Sequence, residues 1–417
     1  MRARRHVLAT ALLLVVVACG SGSSSSGGGN QGKGTGDLVI GIITVTSGPA
    51  ADVAAVSARG SQLAADDENA KGGVFGSRHV VLETCDNGSP SGVSDPQKTI
   101  ACGQKFIHEG LHTVIVEDEG SMKLIENQFQ QNKVISIGGF GAAEFDDPQK
   151  LPYVFSLVGR ADQGNAIAIA YFQKHSYHNV ALMYDNSASS IAVGNTLADA
   201  MRAKGIGVAD TETFGLADVD TSAVTGKIKA AHPDLVYINS YGLVLAHILQ
   251  DFLPSPDASN TSIPILGSAA FANTPVVLLL GKKDIPSLRM QDFVTATVKP
   301  GASYSPKLQH LVDGVKKGGT FPQTGTVFLA MYGYDLVNLM VRAYDAAGTT
   351  DADALKKAFE NFHLVRANGD VYTQDVIYPP GHHSPVCDSG SNNIVFGRVA
   401  DENGVLTEAE PPNPVTC

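Results

Sequence analysis

Residues 38–51 read LVIGIITVTSGPAA and hold a strand, a loop and the approach to a helix in one stretch. The largely apolar run Leu38–Val45 is typical of a buried strand, and Thr46-Ser47-Gly48 ends it. A helix-length stretch, Ala54–Ala70, follows. A strand followed by a crossover helix and another strand is the signature of a parallel sheet covered by helices on both faces. The stretch therefore predicts an α/β fold.

The same alternation recurs along the chain in two blocks, at about 37–158 and 159–293. Two blocks of this kind predict two Rossmann-like lobes, each with a parallel sheet flanked by helices. The further predicted strands are Val80–Cys85, Thr113–Val116, Val134–Ile137, Val180–Tyr184, Leu235–Asn239 and Ile263–Leu266. The further predicted helices are Gln97–His108, Ser121–Gln131, Gln163–His175 and Ser190–Lys204.

The predicted strands end in loops rich in Gly and Ser. In open parallel sheets, ligands bind beyond the carboxyl ends of the strands, and these residue types let backbone N–H groups approach a ligand. Ordinary turns favour the same residues, so only the whole set indicates a cleft. The loops are Thr46-Ser47-Gly48, Glu117–Ser121, Gly138–Gly141, Asp185–Ser190, Asn239–Gly242 and Gly267–Phe271.

Composition excludes some classes of function. The chain has 417 residues, of which 43% are hydrophobic and 17% charged, so most of it can bury a core. The formal net charge of −11 argues against a nucleic-acid ligand, which needs clustered Lys and Arg. No uncharged apolar run reaches 18 residues, so no membrane-spanning helix is expected.

The first 36 residues have the composition of an export signal and a linker. Three arginines precede the apolar run Val7–Val17, which is too short to span a bilayer and suits a signal peptide, residues 1–18. Val16-Val17-Ala18-Cys19 resembles a bacterial lipobox, so Cys19 is the expected lipidation site; a plain signal peptide is the alternative. Residues 19–36 are then a lipidated cysteine and a flexible Gly/Ser tether.

Lipidation of Cys19 leaves four cysteines, an even number in an exported protein. A local Cys85–Cys102 disulfide is plausible, because Cys85 ends a predicted strand and Cys102 lies in the next helix. Cys387 and Cys417 then pair near the C-terminus. Free or metal-binding cysteines are the rival interpretation. His382, His383 and Cys387 could form part of a zinc site, but a fourth ligand is lacking, so no metal is predicted.

The motifs that suggest an enzyme are incomplete. Residues 108–112 read HEGLH and match the zinc-protease pattern HExxH. Gly110 is better explained as the end of a helix that stops at His108 or Glu109. No GxSxG nucleophile motif is present, and Gly139-Phe140-Gly141 lacks the third glycine of a dinucleotide loop. We predict neither an enzyme nor a cofactor.

Six segments together resemble a known family, the type I periplasmic solute-binding proteins of ABC importers, in the leucine/isoleucine/valine-binding group. The resemblance covers nearly all of residues 37–400. DDENAKGGVFGSRHVVLETCD is the most specific segment, and the Cys85/Cys102 spacing also resembles that of family members. The segments lie at 38–51, 66–86, 153–172, 180–188, 233–242 and 331–348.

The resemblance implies two lobes joined by three crossing segments, with a cleft that closes on one small molecule. We expect residues 37–158 and 294–378 in lobe 1, and residues 159–293 and 379–417 in lobe 2. In family members that bind amino acids, two loops hold the carboxylate of the ligand, and they match residues 119–121 and 138–140 of this chain. An acidic residue of those members holds the ammonium of the ligand, and this chain has Ala269 at that position. The expected ligand-binding residues are Ser47, Glu119, Ser121, Gly139, Phe140, Asn186, Tyr241 and Phe271.

The predicted function is that of a monomeric, lipid-anchored solute-binding protein outside the cytoplasmic membrane, which delivers a small polar molecule to an ABC permease. A sensor that presents its ligand to a membrane receptor and an exported hydrolase are the alternatives. We predict that the ligand is not an ordinary α-amino acid. Ala269 offers no charge to an ammonium, and Glu117-Asp118-Glu119 would repel a carboxylate.

Overall fold

A computed structural model describes residues 36–48, 50–317, 326–385 and 394–410. Strands alternate with helices as the sequence predicts, and the fold class is α/β. The strands are β1 Leu38–Thr44, β2 Val80–Asp86, β3 Thr113–Val116, β4 Ile135–Gly138, β5 Val154–Ser156, β6 Asn179–Asp185, β7 Gly207–Phe214, β8 Leu235–Asn239, β9 Ile265–Gly267, β10 Leu288–Phe293, β11 Thr297–Val298, β12 His363–Leu364, β13 Val376–Ile377, β14 Ile394–Ala400 and β15 Leu406–Glu410.

The helices begin and end close to the predicted positions where the sequence has capping residues. Asp95, for example, accepts hydrogen bonds from two backbone N–H groups at the start of α2. The helices are α1 Ala51–Ala70, α2 Pro96–His108, α3 Glu119–Gln131, α4 Ala161–Lys174, α5 Ala188–Ala203, α6 Ser222–Ala230, α7 Val244–Phe252, α8 Ala269–Ala272, α9 Val276–Leu279, α10 Pro306–Lys317, α11 Val327–Ala347 and α12 Ala352–Glu360.

The first sheet has the order β2-β1-β3-β4-β5 among the described residues, and all its pairs are parallel. Successive side chains of β1 point to opposite faces of the sheet. Ile40 and Ile42 pack with α1 and α11, whereas Ile43 packs with α2 and α3. Because both faces are covered, β1, β3 and β4 are apolar along most of their length.

Two glycines bring the backbones of α1 and α11 into direct contact. A Cβ added at Gly60 would overlap the carbonyl oxygen of Ala330. Conversely, a Cβ at Gly333 would overlap the carbonyl oxygen of Ser57. Ser61 Oγ also donates a hydrogen bond of 3.0 Å to the Gly333 carbonyl oxygen. This close approach joins the N-terminal and C-terminal parts of the chain on the first sheet.

The second sheet is mixed. Its order among the described residues is β11-β15-β14-β10-β9-β8-β6-β7, and β14 is antiparallel to both β10 and β15. Helices α6 to α9 cover one face of this sheet and helices α4 and α5 cover the other. The strands β14 and β15 come from residues 394–410, so the end of the chain completes this sheet.

The chain passes from the first sheet to the second at residues 157–160, between β5 and α4. It returns between β11 and α10, and residues beyond 378 lead back to β14. At two edges the structure differs from the predicted lobe boundaries. Strand β11 pairs with β15 in the second sheet, and His383 donates its backbone N–H to Asp146 beside the first sheet. The rest of the lobe division remains a prediction.

The predicted Cys85–Cys102 disulfide is present and links β2 to α2, with a Cα–Cα distance of 5.7 Å. Cys19, Cys387 and Cys417 lie outside the described residues. Helix α2 ends at His108 and Gly110 has a φ of 74°, as expected for a glycine that ends a helix. None of the helices in the described ranges could span a lipid bilayer.

Candidate functional site

A cavity of about 360 Å³ lies where the carboxyl ends of the two sheets face each other. The first-sheet wall of the cavity is formed by Glu119, Gly139 and Gly141. The second-sheet wall is formed by Gln163, Asn239, Ser268 and Gln291. The remaining lining includes the crossing segment, apolar side chains and two residues near β13, namely Val158, Gly159, Arg160, Ala161, Gly164, Asn165, Ile167, Val193, Tyr237, Ala269, Ala270, Phe293, Phe328, Gln374 and Asp375.

Glu119 is fixed by the start of α3. Asp118 caps this helix by accepting a hydrogen bond of 2.7 Å from the Ser121 N–H, which places Glu119 in the first turn. Glu119 Oε2 accepts hydrogen bonds from the N–H groups of Gly141 and Ala142, at 2.8 and 2.9 Å. The residue is only 7% exposed, so the first-sheet wall presents a buried and oriented carboxylate.

The two acidic residues before Glu119 form hydrogen bonds with other groups of the protein. Glu117 is half-buried and accepts hydrogen bonds from the hydroxyl groups of Thr44 and Ser57, and desolvation raises its pKa. Asp118 accepts hydrogen bonds from the backbone and side chain of Ser121. Of this acidic triplet, Glu119 lines the cavity.

Arg160 brings a positive charge to the cavity at the first crossing segment. Its Nε and Nη2 atoms bond to the two carboxylate oxygens of Asp162 at 3.0 and 2.6 Å, and Nη1 lies 3.4 Å from Asp146 Oδ2. The hydrogen bond with Asp162 raises the pKa of Arg160 and lowers that of Asp162. The guanidinium charge is therefore matched by two carboxylates.

Two glutamines of the second-sheet wall have polar atoms without partners among the described residues. Gln163 Oε1 and Gln291 Nε2 are both buried and make no hydrogen bond. Gln291 is only 6% exposed. Because an unpaired buried polar group costs about 1–3 kcal/mol, these atoms mark places where a ligand can supply partners.

Other polar residues of the lining are already paired. Asn165 Nδ2 donates to Thr196 Oγ1 at 2.9 Å, and Gln374 Nε2 donates to the Leu157 carbonyl oxygen at 2.7 Å. Asp375 Oδ1 accepts from the backbone N–H of Arg366 at 2.7 Å. These side chains shape the cavity without leaving a hydrogen-bonding atom that requires a ligand.

The apolar part of the lining is aromatic at one end. The rings of Phe293 and Phe328 are stacked, with centroids 5.2 Å apart and an interplanar angle of 10°. Val158, Ile167 and Val193 add aliphatic surface. A small organic molecule with an apolar body fits a cavity of this size and composition.

The structure places the predicted site residues in different surroundings. Glu119 and Gly139 line the cavity. Tyr241 instead lines a separate pocket of about 200 Å³, and burial raises its pKa. The Ser121 hydroxyl is buried and donates to Asp118, and the residue is not part of the cavity lining.

Four further predicted residues are not part of the cavity lining. Phe140 and Phe271 are fully buried, and the ring of Phe140 packs on Phe145. Ser47 Oγ bonds to Asp86 at 2.7 Å, and Asn186 is exposed on the loop after β6. These four residues follow the ends of strands, but strand ends alone do not determine the directions of their side chains.

Sequence reasoning missed Arg160, Gln163 and Gln291. The first two follow β5, a strand of three residues that the apolar pattern did not reveal. Residues 159–165 read GRADQGN, a polar run directly after VFSLV, and this was the available signal. Gln291 lies inside β10, where a polar residue in a buried strand is the corresponding signal.

The chain is similar to known proteins over most of its length. A family model described as periplasmic binding protein matches residues 37–388. A Leu/Ile/Val-binding protein BraC3 of Rhizobium johnstonii is 27% identical over 243 residues, which are 57% of this chain and 63% of that relative. A Leu/Ile/Val-binding protein homolog 1 of Brucella suis is 24% identical over 339 residues, which are 79% of this chain and 84% of the relative.

Solved structures share the fold. A fatty acid ABC transporter substrate-binding protein from Thermomonospora curvata superposes with a TM-score of 0.73 at 15% identity. The superposition covers 92% of this chain and 94% of that structure. In the present chain one parallel sheet and one mixed sheet are each flanked by helices, with a cavity between the carboxyl ends of their parallel strands.

Proposed function

The chain belongs to the periplasmic binding protein family, and from this membership we propose that it captures one small organic molecule between its two sheets for an ABC importer. Its relatives are solute-binding proteins rather than enzymes, as the sequence predicts. The observation that carries the proposal is the cavity of about 360 Å³ whose walls come from both sheets. A ligand held there contacts both halves of the molecule at once.

The proposed mechanism is closure around the ligand. Three connections join the regions of the two sheets, and the first of them, residues 157–160, lines the cavity through residues 158–160. A ligand that contacts both walls binds more tightly when the walls approach each other, so it shifts the population toward the closed form. The closed form then docks on the permease.

The proposed location is the outer face of the cytoplasmic membrane. The support is the sequence of residues 1–36, in which an apolar run precedes Cys19 and a Gly/Ser tract follows it. A lipid on Cys19 anchors the protein, and the tether lets the globular body reach the permease. Replacing Cys19 with Ala prevents lipid attachment and releases the protein from membranes; an unlipidated wild-type Cys19 contradicts the anchor.

The relatives suggest the size and apolar character of the ligand. Two are named as binding leucine, isoleucine and valine, and a structural neighbour is named for fatty acids. The stacked Phe293 and Phe328 rings and the aliphatic lining suit a ligand of similar apolar character. We therefore propose a ligand of modest size with an apolar body and a polar end.

The test is native mass spectrometry of gently purified protein, followed by small-angle scattering with and without the released molecule. We expect a bound species of small-molecule mass and a decrease in radius of gyration when it is added back. Failure of a broad library of small metabolites to raise the melting temperature, together with no co-purified molecule, contradicts a solute-binding function.

A further inference from the structure

In the described part of the chain, the cavity lining has more hydrogen-bond acceptors without partners than donors without partners. Two oxygens of the lining accept no hydrogen bond from the described residues: the buried Gln163 Oε1, and Glu119 Oε1, the second oxygen of a carboxylate that is 7% exposed. One buried donor lacks a partner, Gln291 Nε2. A ligand that satisfies all three atoms offers hydrogen-bond donors at one part and an acceptor at another.

The charged side chains around the cavity also differ in whether they form ion pairs. Arg160 has its positive charge matched by Asp162 and Asp146. Asp375 lies beside Arg366, with which it interacts electrostatically. Lys123, on the same helix, interacts electrostatically with Glu119 but forms its ion pair with Glu144, at 2.7 Å. In the described ranges, Glu119 therefore has no salt bridge of its own.

A buried carboxylate without a salt bridge is costly, because burial removes its hydration. The backbone N–H groups of Gly141 and Ala142 compensate at one oxygen only. A positively charged group of the ligand at the other oxygen supplies the missing counterion and a charge-assisted hydrogen bond. A ligand carboxylate in the same place would meet the charge of Glu119 instead.

We propose that the ligand is an organic amine, bound with its ammonium on Glu119 Oε1 and with a hydrogen-bond acceptor, such as a hydroxyl or amide oxygen, on Gln291 Nε2. The ammonium also donates to Gln163 Oε1, and the apolar body packs against Phe293 and Phe328. This ligand has no carboxylate. The assignment rests on the proposed solute-binding function and adds the chemical class of the solute.

The experiment uses four probes that share a phenyl group and differ in charge. They are 2-phenylethylamine, 3-phenylpropanoate, 2-phenylethanol and phenylalanine, which are a cation, an anion, a neutral molecule and a zwitterion near pH 7. Binding to ligand-stripped, full-length protein is measured by calorimetry at one ionic strength. We expect the amine to bind most tightly, by about tenfold or more over the alcohol, with the anion weakest.

Glu119→Gln tests the assigned contact without disturbing the loop it holds. The amide oxygen of glutamine still accepts from the Gly141 and Ala142 N–H groups, while the negative charge is lost. We expect affinity for the amine to fall about 10- to 100-fold and affinity for the alcohol to change little. The matched control is Glu126→Gln on the same helix, two turns away and outside the lining, which should leave all four affinities unchanged.

The outcomes separate two questions. Tightest binding of 3-phenylpropanoate or phenylalanine, or equal loss of amine affinity in both variants, overturns the amine assignment but keeps the solute-binding function. Lack of binding by all four probes also overturns the amine assignment. The solute-binding function itself is then judged by the co-purified molecule and the metabolite library.

Discussion

The two walls of the cavity are built in different ways. The first-sheet wall is held before any ligand arrives, because its carboxylate is tied to two backbone N–H groups. The second-sheet wall contains Gln163 and Gln291, which end in unpaired atoms among the described residues. The comparison suggests that the first wall orients the ligand. The side-chain amides of the second wall form their missing hydrogen bonds only when a ligand is bound, so they stabilise the bound state alone.

The rigidity of the first wall depends on the contact between α1 and α11. Gly333→Val would place a branched side chain against the backbone of Ser57, so the two helices must separate. We expect a loss of more than about 4 kcal/mol in the free energy of unfolding, measured by urea denaturation. The control is Gly226→Ala in α6, where nothing lies near the added Cβ and stability should rise by about 0.5–1 kcal/mol. Equal stability of the two variants contradicts the close packing.

The Cys85–Cys102 disulfide stiffens the same side of the molecule. Replacing both cysteines with alanine removes a cross-link between positions 17 residues apart. We expect a loss of about 3 kcal/mol, with faster amide hydrogen exchange concentrated in the first sheet. Peptide mapping without reductant provides the check on pairing: free thiols at these positions in the wild type would refute the cross-link.

The unpaired amide of Gln291 belongs to the second wall. Gln291→Leu removes a buried N–H group that lacks a partner in the described part of the chain. We expect the ligand-free protein to gain about 1 kcal/mol in stability and the affinity for its co-purified ligand to fall about tenfold. Gln97→Leu, at an exposed position, should change stability by less than about 0.5 kcal/mol. A ligand-free protein destabilised by Gln291→Leu would mean that the amide is paired.

We expect the smallest change in stability from breaking the ion pair between Arg160 and Asp162. The hydrogen bond from Arg160 lowers the pKa of Asp162, so the pair stabilises the folded state above the unfolded pKa near 4. That stability is lost as the pH falls through the lower folded pKa. Because the Asp162 side chain is 59% exposed, we expect Asp162→Asn to cost less than about 1 kcal/mol at pH 7.

The difference between the variant and the wild type should shrink below pH 4, where the wild-type carboxylate is protonated. Thermal melts from pH 3 to 7 measure it. Asp199→Asn, which breaks a more exposed ion pair with Arg202, is the control for removing a surface carboxylate and should cost less than about 0.5 kcal/mol at pH 7. A difference for Asp162→Asn that grows at low pH contradicts the assigned sign.

The sequence predicts the fold well because parallel strands buried on both faces are continuous apolar runs, as in Leu235–Asn239. It also places Glu119 and Gly139 at the cavity, because strand ends define where a cleft forms. The directions of side chains such as Phe140 and Phe271 depend on local backbone turns that patterns do not encode. Gln291 reaches the cavity only through the pairing of β10 with β9 and β14, which joins distant parts of the chain.

The joining of distant segments also affects how the protein is made. The first sheet needs α11, residues 327–347, to cover one face, and β10 needs β14 from residues 394–400 as its neighbour. A ribosome adds roughly 5–20 residues each second, so β1 is made well before α11, and β10 well before β14. A product that stops before residue 327 lacks the helix that covers one face of the first sheet, and one that stops before residue 394 lacks the strand that pairs with β10.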